Sequence, residues 1–317
     1  MNESYLSLTG FIPSDARCAN ERANLRFPWI PLRHSRQTVL DFKPISNMIH
    51  ERDMVVVLGS GYVARFMLFP TTVYARVLYT SRDPDNHLAW IPHHQRIRFD
   101  LAQPDTWKNL PSDADMLWCF PAAPPEAVRA LAQGSRRFGK LVVLGSTSAY
   151  DVGRPSDYPP PWIDETSPID LSKPRVQGEE FLRHECGAIL LRAAGIYGPG
   201  RHPYNWIKSG RVTLSDKYVN LIHVEDLAAI CLAALQCGVA GAVYNVSNGV
   251  PQTWRDIGRR LYGDQTGHPT TTRPPQDPGK RISTAKLRTL LDEVGIEIRH
   301  PDLFSSLERL RDDLSPS

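Results

Sequence analysis

Three short stretches carry residue types able to act on a bound ligand. The first, GSGYVAR, sets Gly59, Gly61 and Ala64 in a G-x-G-x-x-A spacing. Where such a run joins a strand to a helix, the first small residue permits a tight turn. The second lets the backbone approach a pyrophosphate, and the third lets helix and strand pack closely. Tyr62 and Val63 belong to the same binding turn, and the helix expected to start there directs its partial positive charge at the phosphates. A plain glycine turn has the same spacing; the position straight after MVVVL, residues 54–58, favours the phosphate reading.

The second stretch, YTSRDP, follows about twenty residues on, where NAD binders usually place an acid against the ribose hydroxyls. Ser81 and Arg82 stand there instead. A hydroxyl and a guanidinium suit a ribose phosphate, so NADP is preferred to NAD. The competing reading makes Arg82 a solvated charge and Asp83 the acid on the ribose of NAD. The third stretch, GSTSAY, gathers Ser146, Thr147, Ser148 and Tyr150. Hydroxyls in such a run either cap the element that follows or meet a substrate oxygen.

These residues need a rigid frame, and the pattern supplies one. From Met54 onward, apolar strand-like runs alternate with helix-like stretches: MVVVL (54–58), ARVLYT (75–80), RIRFD (96–100), DMLWCF (115–120), KLVVLG (140–145) and AILLRA (188–193). Alternation of this kind predicts an α/β fold, a doubly wound parallel sheet of Rossmann type in strand order 3-2-1-4-5-6 or a near variant. In EAVRALAQGSRRF, Ala127, Ala130, Leu131 and Gly134 are expected on one helix face. Residues 1–52 keep neither period and read as an extension, residues 53–317 as the dinucleotide-binding domain, with a smaller substrate lobe drawn mainly from 195–317. Arginines in the extension are a transit-peptide feature, opposed by Glu3, Asp15, Glu21 and Asp41.

Composition excludes several classes. A net charge of +3, dispersed along the chain, argues against nucleic acid or an acidic membrane as partner. Five cysteines without a C-x-x-C pair fit a reducing, cytoplasmic setting. The best apolar run, 221–246, is broken by His223, Glu225, Asp226 and Gln236, so no membrane span is expected. His93 and His94 are adjacent, no i, i+4 histidine pair or cysteine cluster accompanies them, and no metal site is predicted. A small molecule is the expected partner, bound by a monomer or homodimer.

The ordered set GSGYVA, FDL (99–101), LGSTSAY (144–150), LLRAAGIYGPGR (190–201), NLIHVEDLA (220–228) and YNVSNG (244–249) resembles an extended short-chain dehydrogenase/reductase of the NAD-dependent epimerase/dehydratase superfamily, over about residues 54 to 310. The likeness is to its atypical, YeeZ-like branch, through STS-x-Y, GPGRHP and VNL-x-H-x-ED. The resemblance implies that Ser146 binds the substrate oxygen, with Thr147 and Ser148 as rivals. It also implies a proton-donating Tyr, of ordinary pKa about 10, assisted by a Lys one helical turn later. Aligning QGEEFL puts Leu171 and Arg175 at those positions. Leucine donates no proton; Arg175 can hold a ribose or phosphate but is no acid. Tyr150 is the nominated substitute, with Tyr158 as the alternative. Tyr204 and Lys208 repeat the spacing by coincidence.

Further along, the resemblance makes GIYGPGRHP a cleft loop in which Arg201 and His202 meet an anionic group or solvent, and gives Lys280 and Arg281 a phosphate. Asp226 is expected to orient its strand-to-helix junction, His223 to be packed, and Leu227, Ile230, Cys231 and Ala234 to face the core. Two functions fit: an NADP-dependent reductase, dehydrogenase or epimerase acting on a carbonyl or secondary alcohol, or a catalytically silent NADP-binding module.

Overall fold

Runs of valine and leucine that bury both faces form parallel strands covered on two sides. The first six sheet strands are β1 (Met54–Leu58), β2 (Arg76–Ser81), β3 (Arg96–Arg98), β4 (Asp115–Trp118), β5 (Leu141–Ser146) and β6 (Ile189–Ala193); β3, an Arg-Ile-Arg edge strand, is the exception that is not buried. The structure, a computed structural model, describes residues 54–67, 69, 74–134, 138–153, 155–263 and 276–312. The expected extension, 1–52, lies outside them. A seventh strand, β7 (Val243–Val246), adds to β6, giving the parallel order 7-6-5-4-1-2-3. The expected order therefore holds, with one strand more. The sheet reverses direction of growth between β1 and β4, which opens a crevice beyond their carboxyl ends.

The first crossover departs from expectation. After Gly61 the chain makes a four-residue 3-10 turn, Val63–Phe66, and Met67 is already extended, so no α-helix begins at the glycines. A later helix, Val224–Cys237, packs in this region: Leu227, Ile230, Cys231 and Ala234 are buried with Val63, Met67 and Val224 in one core. Apolar nearly all round, that helix suits a buried position rather than a surface one.

Two further helices position the site. Helix α1 (Pro125–Gln133) buries Pro125, Val128 and Leu131; of the predicted face Leu131 and the half-buried Ala127 pack on the core, while Ala130 and Gly134 are exposed. Its neighbour α2 (Pro174–Cys186) approaches the loop after β4 so closely that a Cβ at Gly178 would sit 1.9 Å from the carbonyl oxygen of Ala122. The buried helix Val224–Cys237 is α3, followed by α4 (Trp254–Tyr262), α5 (Ala285–Val294) and α6 (Leu303–Asp312). Trp254, Ile257 and Leu261 of α4 meet Leu303 and Leu307 of α6 and Tyr197 in a separate small core. Among the described residues, no helix is long and apolar enough to cross a membrane.

Candidate functional site

The crevice at the β1/β4 switch is a cleft of about 200 Å³ lined by Gly59, Gly61, Tyr62, Val63, Phe120, Gly145, Arg175 and Arg201, among others. Gly59 has φ +83, a conformation that favours glycine. Its amide donates to Thr80 Oγ1 at 2.9 Å, which ties the turn to the β2 tip. A Cβ at Gly61 would meet nothing within 4 Å, so backbone there is open to a ligand. The amides of Gly59, Ser60 and Gly61 are spent on Thr80 and Gly59, so a dinucleotide pyrophosphate would be met by those of Tyr62 and Val63, without the helix dipole expected from sequence. Tyr62 donates its hydroxyl to Pro199 O at 3.0 Å, and Arg201 lies 4.0 Å over its ring. Burial pushes the Tyr62 phenol up.

At the β2 tip the two cofactor readings separate. Asp83 accepts from Asn86 N at 3.4 Å and from Asn86 Nδ2 at 2.7 Å, so both carboxylate oxygens cap the next turn. Those hydrogen bonds hold its carboxyl below the usual range. Ser81 Oγ accepts from Asp83 N at 3.1 Å and lies 2.9 Å from His87 Nδ1, which makes it a loop brace. Arg82 is exposed beside them.

Beneath the cleft, Arg175 donates to Glu179, which is fully buried. Burial raises the Glu179 carboxyl, with Arg175 opposing that rise. Its second oxygen has no partner among the described residues and would lie 3.0 Å from a Cβ at Gly145. Leu171, the aligned partner, is exposed. Arg175 thus lines the smaller cleft, while Leu171 offers no chemistry.

The hydroxyl run lies at the end of β5. Ser146 Oγ accepts from Ser148 N at 3.2 Å, capping the 3-10 turn Thr147–Tyr150, and no described residue accepts its proton. Thr147 and Tyr150 line a second, larger cleft of about 880 Å³, together with Trp162, Lys217, Tyr218 and Lys280. The Tyr150 hydroxyl behaves otherwise than nominated. It donates to Asn245 Oδ1 at 2.8 Å and accepts from Arg192 Nη1 at 2.9 Å, and burial raises its pKa. Its one proton is therefore committed to Asn245. Tyr158 donates instead to Asp216 O at 3.1 Å.

Several basic residues differ from expectation. His202 is buried: Nδ1 accepts from Tyr204 N at 2.9 Å and Nε2 lies 3.2 Å from Leu307 O, so it caps a helix rather than meeting an anion. Arg201 lines the smaller cleft, beside the glycine turn. Arg281 donates from Nε to Pro160 O at 2.6 Å and lies 5.0 Å beneath the Trp162 ring, so its guanidinium braces a wall. Tyr204 stacks on Tyr262 at 5.0 Å, consistent with a coincidental spacing to Lys208. Asp226 accepts from the amides of Arg299 at 2.8 Å and His300 at 3.0 Å, so it holds a segment far along the chain rather than its own junction.

Sequence reasoning missed a two-lysine clamp. Lys173 donates to Ser148 O at 2.6 Å and to Asp151 Oδ2 at 2.9 Å; Lys280 donates to Thr147 O at 3.0 Å and to the other Asp151 oxygen. The ammonium groups hold the Asp151 carboxyl below its ordinary range. The Arg192, Asn245 and Glu180 network behind Tyr150 was missed as well, since Arg192 donates to Glu180 Oε1 at 2.7 Å from inside a strand that reads as purely apolar. A lone charge in an apolar strand was the available signal.

No protein-family model matches the chain. It is 26% identical over 192 residues to the protein YeeZ of Escherichia coli K12, an alignment covering 56% of this chain and 65% of YeeZ. The chain thus spans just under two thirds of that relative. A solved structure of a putative NAD-dependent epimerase/dehydratase from Methylobacillus flagellatus matches with a TM-score of 0.62, 23% identity and coverage of 84% of this chain and 99% of the other. The enzyme WbmG of Bordetella bronchiseptica in complex with NAD matches with a TM-score of 0.58, 17% identity and coverage of 85% and 96%. The chain is thus similar to YeeZ over part of its length, as the motifs suggested, and shares the Rossmann-type α/β fold of these solved structures.

Proposed function

We propose that this YeeZ-like chain binds NADP at the β1/β4 crevice and acts as a reductase, dehydrogenase or epimerase on a carbonyl or secondary alcohol. A nicotinamide dinucleotide is supported by the neighbours' cofactors. The observation that carries the choice of NADP is the division of labour at the β2 tip: Asp83 is consumed in capping, and Arg82 is exposed beside the ribose position. Gly59, Gly61, Tyr62, Val63 and Ala64 would cradle the pyrophosphate, and Arg175 with Arg201 would meet the nicotinamide half.

When bound, the dinucleotide supplies the hydride. Ser146, its oxygen already accepting the Ser148 amide, donates its proton toward the substrate oxygen. Thr147 and Ser148 are its neighbours in the same loop. With Leu171 inert and the Tyr150 proton directed at Asn245, water from the 880 Å³ cleft serves as proton source. The four described cysteines are free thiols, which supports a reducing, cytoplasmic setting. The second reading, a silent binding module, is favoured by that same missing donor.

NADPH fluorescence on titration with protein, then NADPH oxidation against a carbonyl panel, separates the two. Binding with turnover supports the enzyme. Binding without turnover of any carbonyl supports the module, and absence of binding overturns both.

A further inference from the structure

We propose that His223, Glu225 and His300 form a binding site for a divalent transition ion of the Zn²⁺ type. One ring nitrogen from each histidine and a Glu225 oxygen lie within 4.8 Å of one another. The backbone fixes all three. His223 ends the strand Leu221–His223 and caps α3, Glu225 stands in the first turn, and the two Asp226 contacts bring in His300 from far along the chain. The two rings stack with centroids 3.6 Å apart.

Hydrogen-bond polarity points to a cation. The Ser306 hydroxyl donates its single proton to Asp302 O at 2.8 Å, which leaves its oxygen to accept from His300 Nδ1 at 3.3 Å in the tautomer that carries its proton there. A neutral ring with its proton on Nδ1 presents a lone pair at Nε2. That nitrogen lies 3.0 Å from Glu225 Oε2, another acceptor. Two acceptors at that separation repel unless a positive species lies between them: a second ring proton or a metal ion.

Bonds of about 2.1 Å at the tetrahedral angle put N and O about 3.4 Å apart, which the 3.0 Å pair reaches by opening a few tenths of an ångström. One observation favours the ion over the proton. A proton would use one histidine, whereas an ion uses the imidazole of His223, packed 2% exposed against His300, as a third ligand. His223 Nδ1 holds the Glu225 amide only through a long 3.3 Å bond, cheaply given up if that nitrogen turns to the ion. The Ser306 contact is then the outer partner that fixes the tautomer of His300, an arrangement usual for metal-bound histidine. A Cβ at Gly198 would lie 2.8 Å from Tyr62 Oη and 3.5 Å from His223 Nε2, so an ion here braces the loop behind the smaller cleft.

The test uses the full chain with Zn²⁺ in competition with a chromophoric chelator, comparing wild type, Glu225→Gln and His300→Gln. Glu225→Gln keeps shape at a half-exposed side chain and folds, as far-UV circular dichroism would verify. Wild type should take up one ion more than either variant, or bind it at least about 10-fold more tightly, and Zn²⁺ should raise only its melting temperature. Histidine ¹⁵N spectra should report His300 Nε2 as metal-bound. Equal uptake by wild type and Glu225→Gln overturns the proposal, and so does a His300 that stays doubly protonated under excess Zn²⁺.

Discussion

Arg175 donates from Nε to Glu179 Oε1 across 2.5 Å, one turn further along α2, with the arginine partly exposed at the smaller cleft and the glutamate fully buried. An ion pair thus occupies the helix face where the resemblance implies a lysine. Arg175→Ala leaves Glu179 buried without its cation. Burial already raises that carboxyl, and removing Arg175 raises it further. A group whose folded pKa lies above its unfolded value, about 4.3 for glutamate, adds stability below that value and loses it as pH rises through the folded pKa. The variant should therefore be destabilised by about 3 kcal/mol at pH 8, with a gap that narrows towards pH 4. Urea melts across that range check it; a gap independent of pH would remove Glu179 as the cause.

At the β2 tip, Arg82→Ala should weaken NADPH binding by about 10- to 100-fold, the worth of a charge-assisted hydrogen bond, and leave NADH nearly unchanged. Asp83→Asn should leave NADH affinity unchanged too, since Asp83 is spent on Asn86. Calorimetry with both dinucleotides reads this directly. Parallel losses for the two cofactors in Arg82→Ala would refute a phosphate contact.

For turnover, Ser146→Ala removes a proposed donor to the developing oxyanion, and activity should fall by about 100-fold. Its cap to Ser148 costs about 1 kcal/mol besides. NADPH affinity should hold. A variant with undiminished kcat/KM would take Ser146 out of the chemistry.

Tyr150→Phe distinguishes a structural phenol from a catalytic one. Losing the hydroxyl between Asn245 and Arg192 should cost about 1–3 kcal/mol of stability, because both partners are buried. Turnover should fall much less than in Ser146→Ala. Were turnover abolished with the melting temperature unchanged, the phenol would be the proton donor after all.

Sequence alone determined the sheet, because burial on both faces of a strand demands long apolar runs that nothing else in the chain imitates. Val55, Val56 and Val57 announce β1, and five of the seven sheet strands follow from the same rule, the edge strand Arg96–Arg98 being half-buried at most. β7 escaped it because Val243–Val246 includes Tyr244 and Asn245, a polar break that only its buried partners offset. The glycine turn was legible for a related reason: Gly59 needs a positive φ that few other residues adopt.

What the tertiary structure decided was where each polar group spends its hydrogen bonds. Nothing in GSTSAY says that the Tyr150 proton goes to Asn245, ninety-five positions away, or that His202 caps a helix and reaches Leu307. Nor does NLIHVEDLA reveal that His300 stacks on His223. Donors and acceptors are committed by distance and angle after the chain has closed on itself, and pairs remote in sequence leave no periodic trace before then.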